Sequence, residues 1–147
     1  MKTSVTAQKT AELTDPFFGK NWEISKRSSS FSSWKPDTEK RIYEKVGAGY
    51  RLTVSGIRDG KPYRWGYTAT TDGQPCPVHG RSDVDAIEKH QITNLITVGS
   101  FTKDGKIVAE YRRVTASNGK TLTVVVSGRS PDGTAYFDVL KYKVVAI

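Results

Sequence analysis

The chain has 147 residues, of which 36% are hydrophobic and 10% aromatic, and a net charge of +8. That length suits one domain burying roughly two-thirds of its unfolded surface, and the lean, aromatic-rich apolar fraction fits a barrel with a partly polar, partly hollow interior better than a solid sandwich. No apolar run nears the roughly 18 residues of a membrane-spanning helix, and the lone Cys76 excludes an internal disulfide.

Met1 to Pro16 is polar and reads as a flexible segment outside a barrel domain running from residue 17 to 147. Met1 to Asp15 lacks the apolar centre of a signal peptide. As written the chain is expected to be cytoplasmic, or periplasmic or secreted if a signal has been removed. Phe17-Phe18-Gly19-Lys20-Asn21-Trp22-Glu23-Ile24 opens the domain with an apolar cluster and a first strand. Lys26 to Asp37 carries Ser28, Ser29, Ser30, Ser32 and Ser33 around Phe31 and Trp34, the composition of an ordered loop or flap with two aromatics tucked down. Period-two patterning then predicts strands at Glu39–Val46, Tyr50–Ser55, Lys61–Thr70 and Gln74–Val78. An irregular piece, His79 to Asp83, follows. Further strands are predicted at Asp85–Ile92, Leu95–Thr102, Lys106–Thr115, Thr121–Arg129 and Thr134–Val145. Helical periodicity is confined to one turn near Asp83–Glu88.

The strands are punctuated by Asp59-Gly60, Asp72-Gly73, Asp104-Gly105, Asn118-Gly119 and Asp132-Gly133. Such dipeptides favour tight hairpins because they tolerate the positive φ that type I′ turns require. The prediction is an all-β fold: an antiparallel up-and-down barrel of about eight to ten strands.

Turn lengths set the registers. A two-residue turn at Asp59-Gly60 places Leu52 opposite Tyr67 and Val54 opposite Trp65, so Tyr50, Leu52 and Val54 share the inner face with Tyr63, Trp65 and Tyr67. A two-residue turn at Asn118-Gly119 turns Ile107, Ala109, Tyr111 and Arg113 inward with Leu122, Val124 and Val126; a three-residue turn brings in Glu110 and Arg112 instead. Asn-Gly favours the former. At Ser130-Pro131-Asp132-Gly133 a three-residue loop aligns Asp138, Leu140 and Tyr142 with the inner face, whereas a two-residue turn brings in Phe137, Val139 and Lys141.

The early Gly19-Lys20-Asn21-Trp22 followed by a meander of strands resembles the lipocalin and fatty-acid-binding-protein group of barrels. The stretches Trp65-Gly66-Tyr67-Thr68-Ala69, Pro77-Val78-His79-Gly80, Arg112-Arg113-Val114 and Asn118-Gly119-Lys120-Thr121-Leu122-Thr123 are similar to those of small bacterial lipocalin-like (calycin) proteins of mostly unassigned function. The resemblance implies a cavity for a small apolar or amphipathic ligand.

Tyr63, Trp65 and Tyr67 read as barrel core and as an aromatic ligand wall at once. Tyr111 and Arg113 share a face, and an inward arginine needs a partner: Asp138, Glu110 in the slipped register, or a ligand carboxylate. Val124 and Leu140 complete the expected ligand-binding set. His79, Asp83, Asp85 and His90, with Cys76 nearby, do not match a metal-ligand spacing, so no metal and no cofactor is expected. The leading expectation is a binder of a small hydrophobic or amphipathic, even anionic, molecule. The alternative is a cofactor-free isomerase, cyclase or lyase using Asp138, His79 and Tyr111 as acid–base groups in the cavity. The +8 charge favours anionic partners, but its lysines and arginines are scattered, and a nucleic-acid partner is not expected.

Overall fold

In the computed structural model, residues 17–32 and 35–145 are described; the proposed flexible segment 1–16 and the expected seat of Trp34 lie outside them. The fold is all-β: β1 (Asn21–Ile24), β2 (Thr38–Val46), β3 (Gly49–Arg58), β4 (Lys61–Ala69), β5 (Cys76–His79), β6 (Ala86–Thr93), β7 (Ile96–Lys103), β8 (Lys106–Thr115), β9 (Thr121–Arg129) and β10 (Ala135–Val145). Each strand pairs antiparallel with its neighbour in sequence, and β1 pairs with β10, closing an up-and-down barrel of ten strands with no free sheet edge. The predicted helical turn near Asp83–Glu88 is absent: residues 80–85 are irregular, and β6 begins at Ala86.

Turn chemistry sets the registers. Asp59-Gly60 and Asp104-Gly105 both have positive φ at each residue (52° and 76°; 52° and 79°), the type I′ signature. Leu52 therefore faces Tyr67, and Val54 faces Trp65. The last hairpin takes the three-residue form. Ser130 pairs with Thr134, Gly133 (φ 89°) takes the left-handed position, and Asp138, Leu140 and Tyr142 face Val126, Val124 and Leu122.

Other expectations need correction. Asn118-Gly119 is not a two-residue turn. Ala116 accepts from the Gly119 amide and donates to Thr121, and of the two turn residues only Gly119 has positive φ. This wider loop is symmetric about the same point, so Tyr111 still faces Val126 and Arg113 still faces Val124. Ile107, expected inside, is 61% exposed, because a bulge between Phe101 and Thr102 shifts the β7–β8 register and turns it outward. Asp72-Gly73 lies within the longer connection between β4 and β5 rather than forming a tight turn; Asp72 bridges to His90.

The two ends of the barrel differ. One is plugged by Phe17, which stands edge-on to the rings of Tyr43 and Tyr50. Fully buried Trp22 holds the plug by donating from Nε1 to the Phe17 carbonyl at 3.1 Å. At the other end gather the β3–β4 and β9–β10 turns and the irregular piece 80–85. The Ser-rich segment runs beside β10 there, Ser30 bridging Val139 and the Ser29 hydroxyl accepting from the Lys141 amide.

Candidate functional site

The barrel encloses a cavity of about 850 Å³ that reaches the open end. Because strand side chains alternate faces, its wall consists of ladders running from mouth to plug: Glu39, Arg41 and Tyr43 on β2; Tyr63, Trp65 and Tyr67 on β4; Tyr111 and Arg113 on β8; Tyr136, Asp138 and Leu140 on β10. Val124 and Lys89 also line it. The ligand-binding set read from the sequence is thus brought around one space, although its roles differ along the depth.

At the mouth, Arg81 donates from Nε and Nη2 to the two Asp83 oxygens, at 2.9 and 2.6 Å. Its guanidinium lies over Trp65 (4.7 Å) and Phe101 (5.3 Å). Burial opposes the charge on Asp83, but the Arg81 bonds and charge outweigh it, so the carboxyl titrates below its usual range. Gly80 makes this approach feasible: it has φ 87°, and a Cβ there would stand 2.9 Å from Trp65 Cα.

Asp138 points into the cavity, as the three-residue loop requires. Its Oδ1 accepts from the amide (2.8 Å) and hydroxyl (3.1 Å) of Ser32, so it ties the Ser-rich segment to the wall. His79 is exposed on the outer face, opposite Gly66, and does not line the cavity. The convergence expected of Asp138, His79 and Tyr111 is therefore corrected: β5 alternation buries Val78 and turns His79 outward. The other members of the His/Asp group also disperse, Asp85 accepting from the Asp104 amide and His90 lying against Asp72. Among the described residues no cluster of three or more His, Cys, Asp or Glu is placed to hold a metal ion.

Arg113 sits deepest. It is 1% exposed, donates from Nη2 to Thr97 Oγ1 at 2.5 Å, and lies 3.5 Å over the Phe17 ring. A desolvated cation–π contact of this kind is worth about 2 kcal/mol. Its position ties the plug to the wall rather than presenting a fork to the centre of the cavity.

Two buried charge centres escape a reading of the sequence alone. The first is Glu39, 2% exposed, which accepts from Tyr63 Oη (2.8 Å), Arg41 Nε (3.2 Å) and the Tyr142 hydroxyl. Arg41 lies in turn over the rings of Tyr142 and Trp65. Burial, followed by the Glu39 charge, drives the Tyr63 phenol far above its usual pKa. The second is Lys89, fully buried on β6. Its Nζ donates to Tyr67 Oη at 2.8 Å and lies 4.3, 4.8 and 5.1 Å from the ring centres of Tyr50, Tyr67 and Tyr111. Among the described residues no carboxylate lies within ion-pair distance of it. Burial, reinforced by the charges of Arg113 and Arg41, holds its pKa well below the ordinary lysine value. Burial likewise raises the Tyr67 and Tyr111 phenols, which keep their protons. The Tyr111 hydroxyl is buried beside that of Tyr67.

Both centres were masked by alternation. Glu39, Arg41 and Tyr43 interleave with Lys40, Ile42 and Glu44, so each face of β2 carries charge and apolar bulk. The usable signal was the Gly47-Ala48 turn, which pairs Val46 with Gly49 and hence Arg41 with the inward Val54. Lys89 likewise follows Ile87 at period two. It meets Tyr67, two strands away, inside the barrel, where the inward side chains of β4 and β6 converge. No helix among the described residues is long and apolar enough to cross a membrane. No protein-family model matches the chain, and no curated protein is significantly similar to it.

Proposed function

We propose that the protein binds one small amphipathic molecule inside the barrel, in the manner of lipocalin-like proteins. The observation that carries this is the 850 Å³ cavity, of the size that holds drug-like ligands, with an aromatic wall and a few polar groups at its inner end. Trp65, Tyr63, Val124 and Leu140 contact the apolar body. Lys89, Tyr67 and Tyr111 meet a polar, oxygen-bearing end, where the amine and the two phenol hydroxyls can donate. Arg58, Lys61, Arg64 and Arg81 outnumber Asp59, Asp83 and Asp138 around the mouth, so an anionic ligand is favoured on approach. Arg113 serves this site indirectly, by closing its floor.

Fluorescence titration with medium-chain alcohols, acids and aldehydes and with aromatic analogues tests the reading. At least one series should quench tryptophan emission saturably, the change should shrink in Trp65→Phe, and native mass spectrometry should show one ligand per chain. The absence of any saturable quenching or one-to-one adduct across the series would overturn it.

A further inference from the structure

Lys89 is an unusual group to place in a ligand cavity. A buried lysine serving only the fold is ordinarily matched by a carboxylate, because an unpaired ammonium is costly to desolvate. Glu39 and Asp138 both line this cavity, yet neither reaches Lys89; they are engaged by Tyr63, Tyr142, Arg41 and Ser32. Around Nζ are three phenol rings, the Tyr67 hydroxyl bonded to it and the Tyr111 hydroxyl beside that of Tyr67. Gly99 shapes the arrangement: it lies opposite Lys89 on one side and Tyr111 on the other, and a Cβ there would stand 2.6 Å from Tyr111 Cε1. The missing side chain lets the Tyr111 ring lie across β7 toward the amine.

From this geometry we infer that Lys89 captures the carbonyl group of a hydrophobic aldehyde as an imine, with Tyr67 and Tyr111 as its hydroxyl partners. The inference rests on the binding reading above and deepens it by naming the ligand class. The unprotonated Nζ adds its electron pair to the carbonyl carbon. A C–N bond forms, the C=O π pair moves to oxygen, and the proton lost by nitrogen ends on that oxygen, giving a carbinolamine. The C–O bond then breaks, the nitrogen pair forms C=N, and oxygen leaves with a second nitrogen proton as water. The balance is one aldehyde and one amine to one imine and one water, with no oxidant or reductant. Burial supports each stage: it holds the amine's pKa well below the ordinary lysine value, which raises the share present as the nucleophilic free base, and it raises both phenols, which stay protonated as donors to the carbonyl oxygen.

The test is to incubate the full chain with decanal or cinnamaldehyde near pH 7 in the presence of cyanoborohydride, which reduces an imine to a stable amine. One aldehyde should add per chain, on the peptide bearing Lys89, more than about tenfold faster than on exposed lysines, whose amines stay protonated at this pH. Lys89→Arg should abolish the fast addition, and Lys89→Met provides a second variant should the arginine disturb folding, which thermal unfolding followed by circular dichroism reports. The corresponding alcohol, measured by tryptophan quenching of the unmodified chain, separates the two readings. Saturable binding of the alcohol with only slow, scattered lysine labelling overturns the imine and leaves the binding site standing. Absence of both overturns both.

Discussion

The barrel buries two basic side chains, and they are accommodated differently. Arg41 has Glu39 beside it, two tyrosines complete the carboxylate, and aromatic faces cover the guanidinium. Lys89, on the opposite side of the same cavity, has phenols and ring faces but no counter-ion among the described residues. A satisfied charge network locks neighbouring strands together and has little capacity left for a ligand. A buried amine without a counter-ion, beside two phenol hydroxyls, contributes less to folding and keeps hydrogen-bonding capacity for a ligand. In one cavity, therefore, completeness of pairing separates scaffold from site.

The largest expected effect comes from breaking the complete centre. Glu39→Ala leaves Arg41 buried without its carboxylate and should cost about 3–5 kcal/mol of unfolding free energy, measured by urea denaturation; a loss below about 1 kcal/mol would mean that the network is not what holds β2 against β4 and β10. Next is Gly99→Ala. The added Cβ would stand 2.4 Å from the Glu88 carbonyl oxygen and 2.6 Å from Tyr111 Cε1, so the β6–β7 pairing beside Lys89 and the Tyr111 ring must both shift, at about 1–3 kcal/mol for overpacking, and aldehyde trapping at Lys89 should slow in parallel. Unfolding midpoints and trapping rates measured on one sample check both.

Lys89→Met sharpens the contrast through pH. The folded pKa of Lys89 is lowered, so between that value and about 10.4 the unfolded chain holds a proton that the folded chain lacks. Its contribution to stability is therefore complete above the unfolded pKa and is lost as pH falls. Relative to the methionine variant, the unmodified protein should gain stability from pH 7 to 10, and a difference that stays flat would show that Lys89 titrates normally. The smallest effect belongs to Asp138→Ala. This carboxylate accepts from Ser32 at the mouth, so its loss should cost about 1 kcal/mol locally. Hydrogen exchange of the Ser32 amide should quicken about fivefold while global unfolding barely moves. A global loss as large as that of Glu39→Ala would make Asp138 part of the scaffold.

What the chain determines by itself is the sequence of strands and most of their registers. Asp59-Gly60 and Asp104-Gly105 specify two-residue turns through local φ preferences, and the first of them plus period-two alternation decides that Tyr63, Trp65 and Tyr67 point inward. Asp138 and Leu140 follow only once the three-residue form is taken at Ser130-Pro131-Asp132-Gly133, and Tyr111 and Arg113 keep the expected side because the wider loop at Asn118-Gly119 is centred on the same point. These are nearest-neighbour effects, legible without knowing how the sheet closes. Closure itself, and everything that depends on it, belongs to the tertiary structure. The pairing of β1 with β10 makes an interior in which Glu39 on β2 meets Tyr142 on β10, residues far apart in sequence. Closure also brings Lys89 on β6 to Tyr67 on β4, and a bulge between Phe101 and Thr102 reverses the side to which Ile107 points. Hydrophobic alternation could not announce Arg41 or Lys89 as inward residues, because a charged side chain is stable inside only when groups from other strands surround it, and those groups converge only after the barrel has closed.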